Sequence, residues 1–269
     1  MTGSEEARQR AILHPRTAAE RFRLEYAPVP PDLAPFLAGY WILHWDLDAP
    51  HRQRVLTYPV VHLTFATGGE AQVTGVVTDT FVREISGAGR VLGLRFRPGG
   101  IRPFLDGPVS ALTDRVLDIE DVFGPGARTV ADAVVGESDV PAALERAAAL
   151  LRAVGPAPDP AVDTVAGLVE AVDGDPELLR TSQLAALAGM STRQLQRLFA
   201  EYVGIGPKRV IRRARMQEAA ARAATEPQDW AALAADLGYA DQAHFIRDFT
   251  ASVGISPAQY ASSVRSDQS

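Results

Sequence analysis

The sequence predicts an α+β protein, with a β-rich N-terminal domain followed by an all-α C-terminal domain. Within residues 22–97, short stretches alternate apolar and polar side chains with the period of two that is typical of strands. The last third of the chain contains a helix-glycine-helix pattern twice. Between these parts, the proline-rich segment 155–160 indicates a short linker. We therefore predict domains at 1–154 and 161–265.

Composition limits the classes of protein that this chain can belong to. Its 269 residues are enough for one large domain or two ordinary ones. Hydrophobic residues make up 46% and charged residues 22%, as in soluble globular proteins. We find no apolar run near the ~18 residues of a membrane span. The absence of cysteine excludes disulfides and thiolate metal sites, and we expect a cytoplasmic protein with no membrane partner.

Three segments carry the strand pattern of the N-terminal domain. The first places Trp41, Leu43 and Trp45 on one face of a strand and residues 40, 42, 44 and 46 on the other. The second runs from Val61 to a turn at residues 67–69. The third ends at the turn Pro98-Gly99-Gly100. Short strands separated by turns predict a small barrel or sandwich. Residues 101–154 then become helical, most clearly in 141–154.

Aromatic and histidine side chains are the candidate binding residues of this domain. Trp41, Trp45 and Phe65 are predicted to line a ligand pocket, and the alternative is that they are simply core residues. A metal site at His44, His51 and His62 is a weaker hypothesis. Alternation places His44 and His62 opposite the apolar side chains of their strands. We predict no catalytic residue, no resident metal and no cofactor, since strong nucleophile and phosphate-loop motifs are lacking.

The C-terminal part repeats itself. Leu184-Ala185-Ala186 with Gly189 recurs as Leu233-Ala234-Ala235 with Gly238, an offset of 49 (233 − 184). The later residues recur with an offset of 50 (247 − 197), so that Arg197 corresponds to Arg247. The pattern of each copy predicts two helices that are joined by a turn at the glycine. One helix, 207–224, is predicted to join the copies.

The second helix of each copy has the side chains of a base-reading helix. In the first copy, Ser191 and Gln194 form a predicted capping box, and Leu195 and Phe199 share a buried face. Arginine can bond guanine bidentately and glutamine can bond adenine. The predicted base-reading residues on the outward sides are Arg193, Gln196 and Arg197 in the first copy, and Gln242, His244 and Arg247 in the second.

Positive charge concentrates around the first copy. The net charge of the whole chain is −6, yet residues 180–222 contain 9 Lys and Arg against 2 Asp and Glu, a balance of +7. Residues 223–269 contain 2 against 6, a balance of −4. Phosphate contacts should therefore lie on the first copy and the joining helix, and the candidates are Lys208, Arg209, Arg212 and Arg213.

Residues 162–262 resemble the C-terminal DNA-binding domain of the AraC/XylS transcription regulators. The motif that carries the resemblance is Asp229-x8-Gly238-Tyr239-x5-Phe245-x-Arg247-x-Phe249-x4-Gly254-x-Ser256-Pro257-x2-Tyr260. The resemblance implies two helix-turn-helix units in successive major grooves, with RNA polymerase as a partner. Through the stretches 94–100 and 112–115, the N-terminal part resembles the β-rich domain of an uncharacterised subgroup, which implies sensing or dimerisation.

These observations predict a sequence-specific DNA-binding transcription regulator that is not an enzyme. We expect an activator that responds to an unknown small molecule and that forms a homodimer. Two alternatives remain open from the sequence. One is a metal-dependent β-barrel enzyme fused to a DNA-binding module, and the other is a regulator without a ligand that a protein partner controls.

Overall fold

The strands of the N-terminal part form one antiparallel sheet. The computed structural model describes residues 21–55, 58–78, 81–225 and 228–266. The strands are β1 (Phe22–Ala27), β2 (Leu37–Val55), β3 (His62–Ala66), β4 (Glu70–Thr74), β5 (Phe81–Phe96) and β6 (Val116–Asp118). Their order in the sheet is β1-β2-β5-β3-β4-β6. The α+β class is confirmed, but the described strands form a single open sheet, with β1 and β6 at its edges, rather than a barrel or sandwich.

The helices follow the sheet in sequence. Short 3₁₀ turns occupy Arg102–Phe104 and Val109–Leu112. The α-helices are α1 (Ile119–Phe123), α2 (Ala127–Gly136), α3 (Val140–Val154), α4 (Pro160–Gly174), α5 (Thr181–Leu187), α6 (Thr192–Tyr202), α7 (Pro207–Thr225), α8 (Trp230–Asp236), α9 (Gln242–Val253) and α10 (Pro257–Ser266). No helix of the described ranges is both long and apolar enough to cross a membrane.

One face of the sheet forms the core of the N-terminal part. Strand pairing brings Tyr40 opposite Leu94, and Leu94 opposite Leu63, and all three are at most 2% exposed. Helix α2 packs against β3 and also against α3. This apolar cluster continues through α4 into α5 and α6, so the sheet and the first half of the helical part share one core.

The second half of the helical part has a core of its own. Phe245 and Phe249 are fully buried and pack with Tyr260 and with the C-terminal half of α7. Helix α7 contributes to both clusters, since Val210 and Ile211 belong to the first. The joining helix is therefore the element that connects the two cores. Its 19 residues correspond to about 28 Å.

Candidate DNA-binding surface

The first helix-turn-helix unit consists of α5, a turn at Gly189 and α6. Gly189 has a φ of 63°, a left-handed conformation that glycine adopts without strain. Ser191 caps α6: its hydroxyl accepts a hydrogen bond from the backbone N–H of Gln194, whose side chain accepts from the N–H of Ser191 at 2.9 Å. Leu195 and Phe199 are fully buried. The capping and burial fix which side of α6 faces outward.

The predicted base-reading residues of this unit lie together on that outward side. Arg193, Gln196 and Arg197 occupy the second, fifth and sixth positions of α6, and all three are exposed. The structure therefore presents two guanidinium groups and one amide beside each other, with a buried apolar face behind them.

The second unit consists of α8, a turn at Gly238 and α9. Asp241 caps α9 by accepting a hydrogen bond from the backbone N–H of His244 at 2.7 Å. Gln242, His244 and Arg247 are exposed on α9. The His244 ring packs edge-on against Tyr239, with ring centroids 5.1 Å apart.

Asp248 organises the surface of the second unit, a role that the sequence reasoning missed. Its carboxylate forms an ion pair with Arg212 at 2.9 Å and accepts a hydrogen bond from the Tyr239 hydroxyl at 3.1 Å. His244 Nε2 lies 4.0 Å from the same carboxylate. The spacing of four residues between His244 and Asp248 on one helix was the available sequence signal.

The four predicted phosphate-binding cations have different environments. Lys208 and Arg209, in the first turn of α7, are exposed. The side chain of Arg212 is 46% exposed, but it is paired with Asp248. The Arg213 side chain is only 12% exposed, and it forms an ion pair with Asp173 at 2.5 Å. Little of the Arg213 guanidinium is therefore accessible for contact with a DNA phosphate, contrary to the sequence-based prediction.

Arg213 instead connects α7 to two other parts of the molecule. It donates a hydrogen bond to Gln217 at 2.7 Å, and its guanidinium lies 4.6 Å from the centroid of the Tyr58 ring. Burial and the nearby Asp173 carboxylate raise the pKa of the Tyr58 hydroxyl above its ordinary range. The joining helix is therefore held to α4 and to the segment that precedes β3.

Segments that precede the two helix-turn-helix units also hold the C-terminal end of α6 and the turn after it. Arg102 forms an ion pair with Glu201 at 2.7 Å, and the Thr113 hydroxyl donates to the Gly204 carbonyl at 2.7 Å. A hydrogen bond to Asp159 raises the pKa of Tyr202 to about 12. Gly204 has a φ of 90°, and a Cβ at this position would lie 3.0 Å from the Thr113 hydroxyl.

The predicted pocket of the N-terminal part is not assembled. Trp41 and Trp45 lie on the sheet face opposite Tyr40, so they are half-buried rather than core residues, whereas Phe65 is 2% exposed in the core. Glycines allow this close approach, since a Cβ added to Gly93 would lie 2.0 Å from the Trp41 ring. The pocket was a wrong prediction, because strand pairing places Phe65 and the tryptophans on different faces of the sheet.

His62 shares the outer face of the sheet with Trp41. The Trp41 indole donates a hydrogen bond to His62 Nδ1 at 3.2 Å. Burial and the nearby positive charge of Arg95 lower the pKa of His62 to about 3, so that this imidazole is neutral at pH 7. Across the described ranges, no group of three or more His, Asp or Glu side chains is arranged to hold a metal ion.

Comparison with known proteins gives two domain matches. Residues 184–263 match the family model of a helix-turn-helix domain, and residues 24–118 match a domain of unknown function (DUF6597). The resemblance of the C-terminal part to AraC-type regulators is thereby confirmed, and the N-terminal match fits an uncharacterised subgroup.

Two curated proteins are similar to the chain over 82 residues. An uncharacterized HTH-type transcriptional regulator of Haemophilus influenzae is 38% identical, over 30% of this chain and 28% of that protein. The HTH-type transcriptional regulator Rv1931c of Mycobacterium tuberculosis is 42% identical, over 30% of this chain and 31% of that protein. The chain thus spans less than a third of the length of these relatives. A solved AraC-type regulator from Chromobacterium violaceum is 22% identical, over 38% of this chain and 92% of that one, with a TM-score of 0.35.

Proposed function

We propose that this chain, whose C-terminal domain is an AraC-type helix-turn-helix domain, is a sequence-specific DNA-binding transcription regulator and not an enzyme. The observation that carries the proposal is the exposed outward side of each recognition helix, backed by a buried apolar face. In α6 this side presents Arg193, Gln196 and Arg197, and in α9 it presents Gln242, His244 and Arg247. These side chains can donate to guanine and adenine edges in the major groove.

The cations of the joining helix supply affinity without base specificity. Lys208 and Arg209 are exposed, and they lie next to the first unit, where positive charge is densest. Contacts of this type position a protein on the duplex and make its affinity fall with salt. Arg212 can contact a phosphate only while it also remains paired with the Asp248 carboxylate, which offsets part of its positive charge. Two units that enter successive major grooves read an asymmetric site with centres ~34 Å apart.

Selection from a pool of random duplexes tests the proposal with the full chain. We expect enrichment of one asymmetric sequence of two half-sites, about one helical turn apart. A double variant, Arg193→Ala with Arg197→Ala, should keep its folded circular dichroism spectrum and lose the preference in one half-site only. The proposal is wrong if the unaltered chain enriches no sequence.

The regulatory part of the proposal rests on family resemblance and on the N-terminal sheet. We infer that the chain acts in the cytoplasm as a homodimer, activates transcription with RNA polymerase and responds to a small molecule bound by the N-terminal part. Transcription from a promoter that carries the selected site should rise when the purified chain is added. A metabolite library tested by thermal shift should contain a compound that raises Tm, and a uniform absence of such shifts would favour control by a protein partner.

A further inference from the structure

The two recognition helices can be compared position by position. Both begin after a polar cap, Ser191 or Asp241, and both bury an apolar residue at their fourth position. Leu195 and Phe245 are these buried residues, and each is 0% exposed. A constant offset of 50 therefore relates the two helices, so equivalent positions face the same way relative to the buried side.

The second and fifth positions differ in chemistry between the copies. The first copy has Arg193 and Gln196 there, whereas the second has Ala243 and Ile246. Ala243 is exposed, and Ile246 is half-buried because part of its side chain packs on the second core. These two positions lie three residues apart on one side of α9. The second helix thus offers a small apolar surface where the first offers hydrogen-bond donors.

Electrostatic attraction is also weaker at the second unit. Asp248, next to Arg247, holds Arg212 in an ion pair and accepts a hydrogen bond from Tyr239. A carboxylate near the duplex repels phosphate unless a cation neutralises it, so Arg212 is engaged in compensating Asp248. The net charge of residues 223–269 is −4 (2 − 6). Attraction between positive side chains and phosphates is therefore weak at the second unit, and its DNA recognition must depend on other contacts.

We propose that the second recognition helix reads thymine through its methyl groups. Thymine is the base that presents a methyl group in the major groove, and apolar side chains recognise it by contact. Ala243 and Ile246 would contact C5-methyl groups on adjacent base pairs, and packing against the second core holds Ile246 in place. Arg247 would bond a neighbouring guanine. This inference rests on the proposed function, and it specifies which base chemistry the second half-site must contain.

Replacement of thymine by deoxyuridine tests the inference, because it removes the methyl group and leaves base pairing unchanged. The operator selected by the full chain should have thymines at two positions of the second half-site. We expect deoxyuridine at each to weaken binding about fourfold, the value for one buried methyl-sized group, and about sixteenfold at both. Deoxyuridine in the first half-site is the matched control and should change the affinity less than twofold.

A variant that gives the second unit a side chain of the first makes the test sharper. Ile246→Gln places at the fifth position of α9 the side chain that Gln196 has in α6, and it should shift the preferred base there from thymine to adenine. Ile246→Ala should reduce the deoxyuridine effect at one thymine and leave it unchanged at the other. Circular dichroism and thermal unfolding that match those of the unaltered chain would confirm that the second unit, which has its own core, still folds in these variants.

The outcomes separate this inference from the proposed function. If the unaltered chain selects no sequence, the proposed function fails, and this inference fails with it. If it selects an asymmetric site but tolerates deoxyuridine throughout, the function stands and the methyl readout is wrong. Loss of transcription in Ile246→Ala, with unchanged DNA affinity, would also overturn the readout, because the apolar pair would then contact a protein.

Discussion

Substitution of Arg213 distinguishes a structural arginine from a DNA-binding one on the same helix. The sequence groups Arg213 with Arg209, but the structure buries Arg213 against Asp173, with 12% and 19% of the two side chains exposed. Removal of one partner from a buried ion pair costs about 3–5 kcal/mol, because the other charge stays buried without compensation. Since some solvent still reaches this pair, we expect Arg213→Met to lower the free energy of unfolding by about 3 kcal/mol, at the lower end of that range.

Chemical denaturation and salt titration measure the two roles separately. Arg213→Met should lower the stability, and a second change, Asp173→Asn, should restore part of it by removing the uncompensated charge. The slope of log affinity against log salt should stay the same in Arg213→Met. The matched control, Arg209→Ala, should leave the stability unchanged and reduce that slope by about one unit. A reduced slope in Arg213→Met with unaltered stability would refute the structural role.

Three further predictions concern the base-reading helix, the sheet and the contact between the two parts. Arg197→Ala should cost about 1–3 kcal/mol of binding and relax base preference at one operator position, and an equal loss on every sequence would contradict this role. The folded-state pKa of His62 lies below the usual 6.5, so the unfolded chain binds the additional proton as pH falls below that value. The stability should therefore drop by about 2 kcal/mol between pH 7 and pH 5, and His62→Gln, which keeps an acceptor for Trp41, should abolish that drop in denaturant titrations. Thr113→Val keeps the shape of the side chain but leaves the Gly204 carbonyl without its hydrogen bond, and thermal unfolding should show a loss of about 1–3 kcal/mol. Unchanged stability would mean that this bond does not hold the first recognition helix.

Local patterns were sufficient to predict the recognition helices. The capping box of Ser191 and Gln194, and the buried positions of Leu195 and Phe199, depend on residues within two turns of each other. The predicted end of the joining helix at residue 224 differs by one residue from the observed end at Thr225. Interactions of this range are fixed by helix geometry, which the sequence expresses directly.

Strand pairing was not predictable in the same way. The alternation around Trp41 identified the strand but did not decide which of its two faces would be buried, and the structure buries the face of Tyr40. The reason lies at a distant position, because Gly93 on the neighbouring strand accepts the Trp41 ring on the outer face. Alternation gives the period of a strand, and its neighbours decide the buried side.

The sequence by itself determined the duplicated helix-turn-helix units, their outward arginines and the concentration of positive charge on the first copy. Only the tertiary structure decided which cations of the joining helix are paired with carboxylates. Asp248 pairs with Arg212 and Asp173 pairs with Arg213, although these partners are 36 and 40 residues apart in the sequence. The tertiary structure also joined the first unit to the sheet in one core and gave the second unit its own. The physical reason is range: helix caps and faces form between near neighbours, whereas burial and ion pairing depend on which distant segments meet.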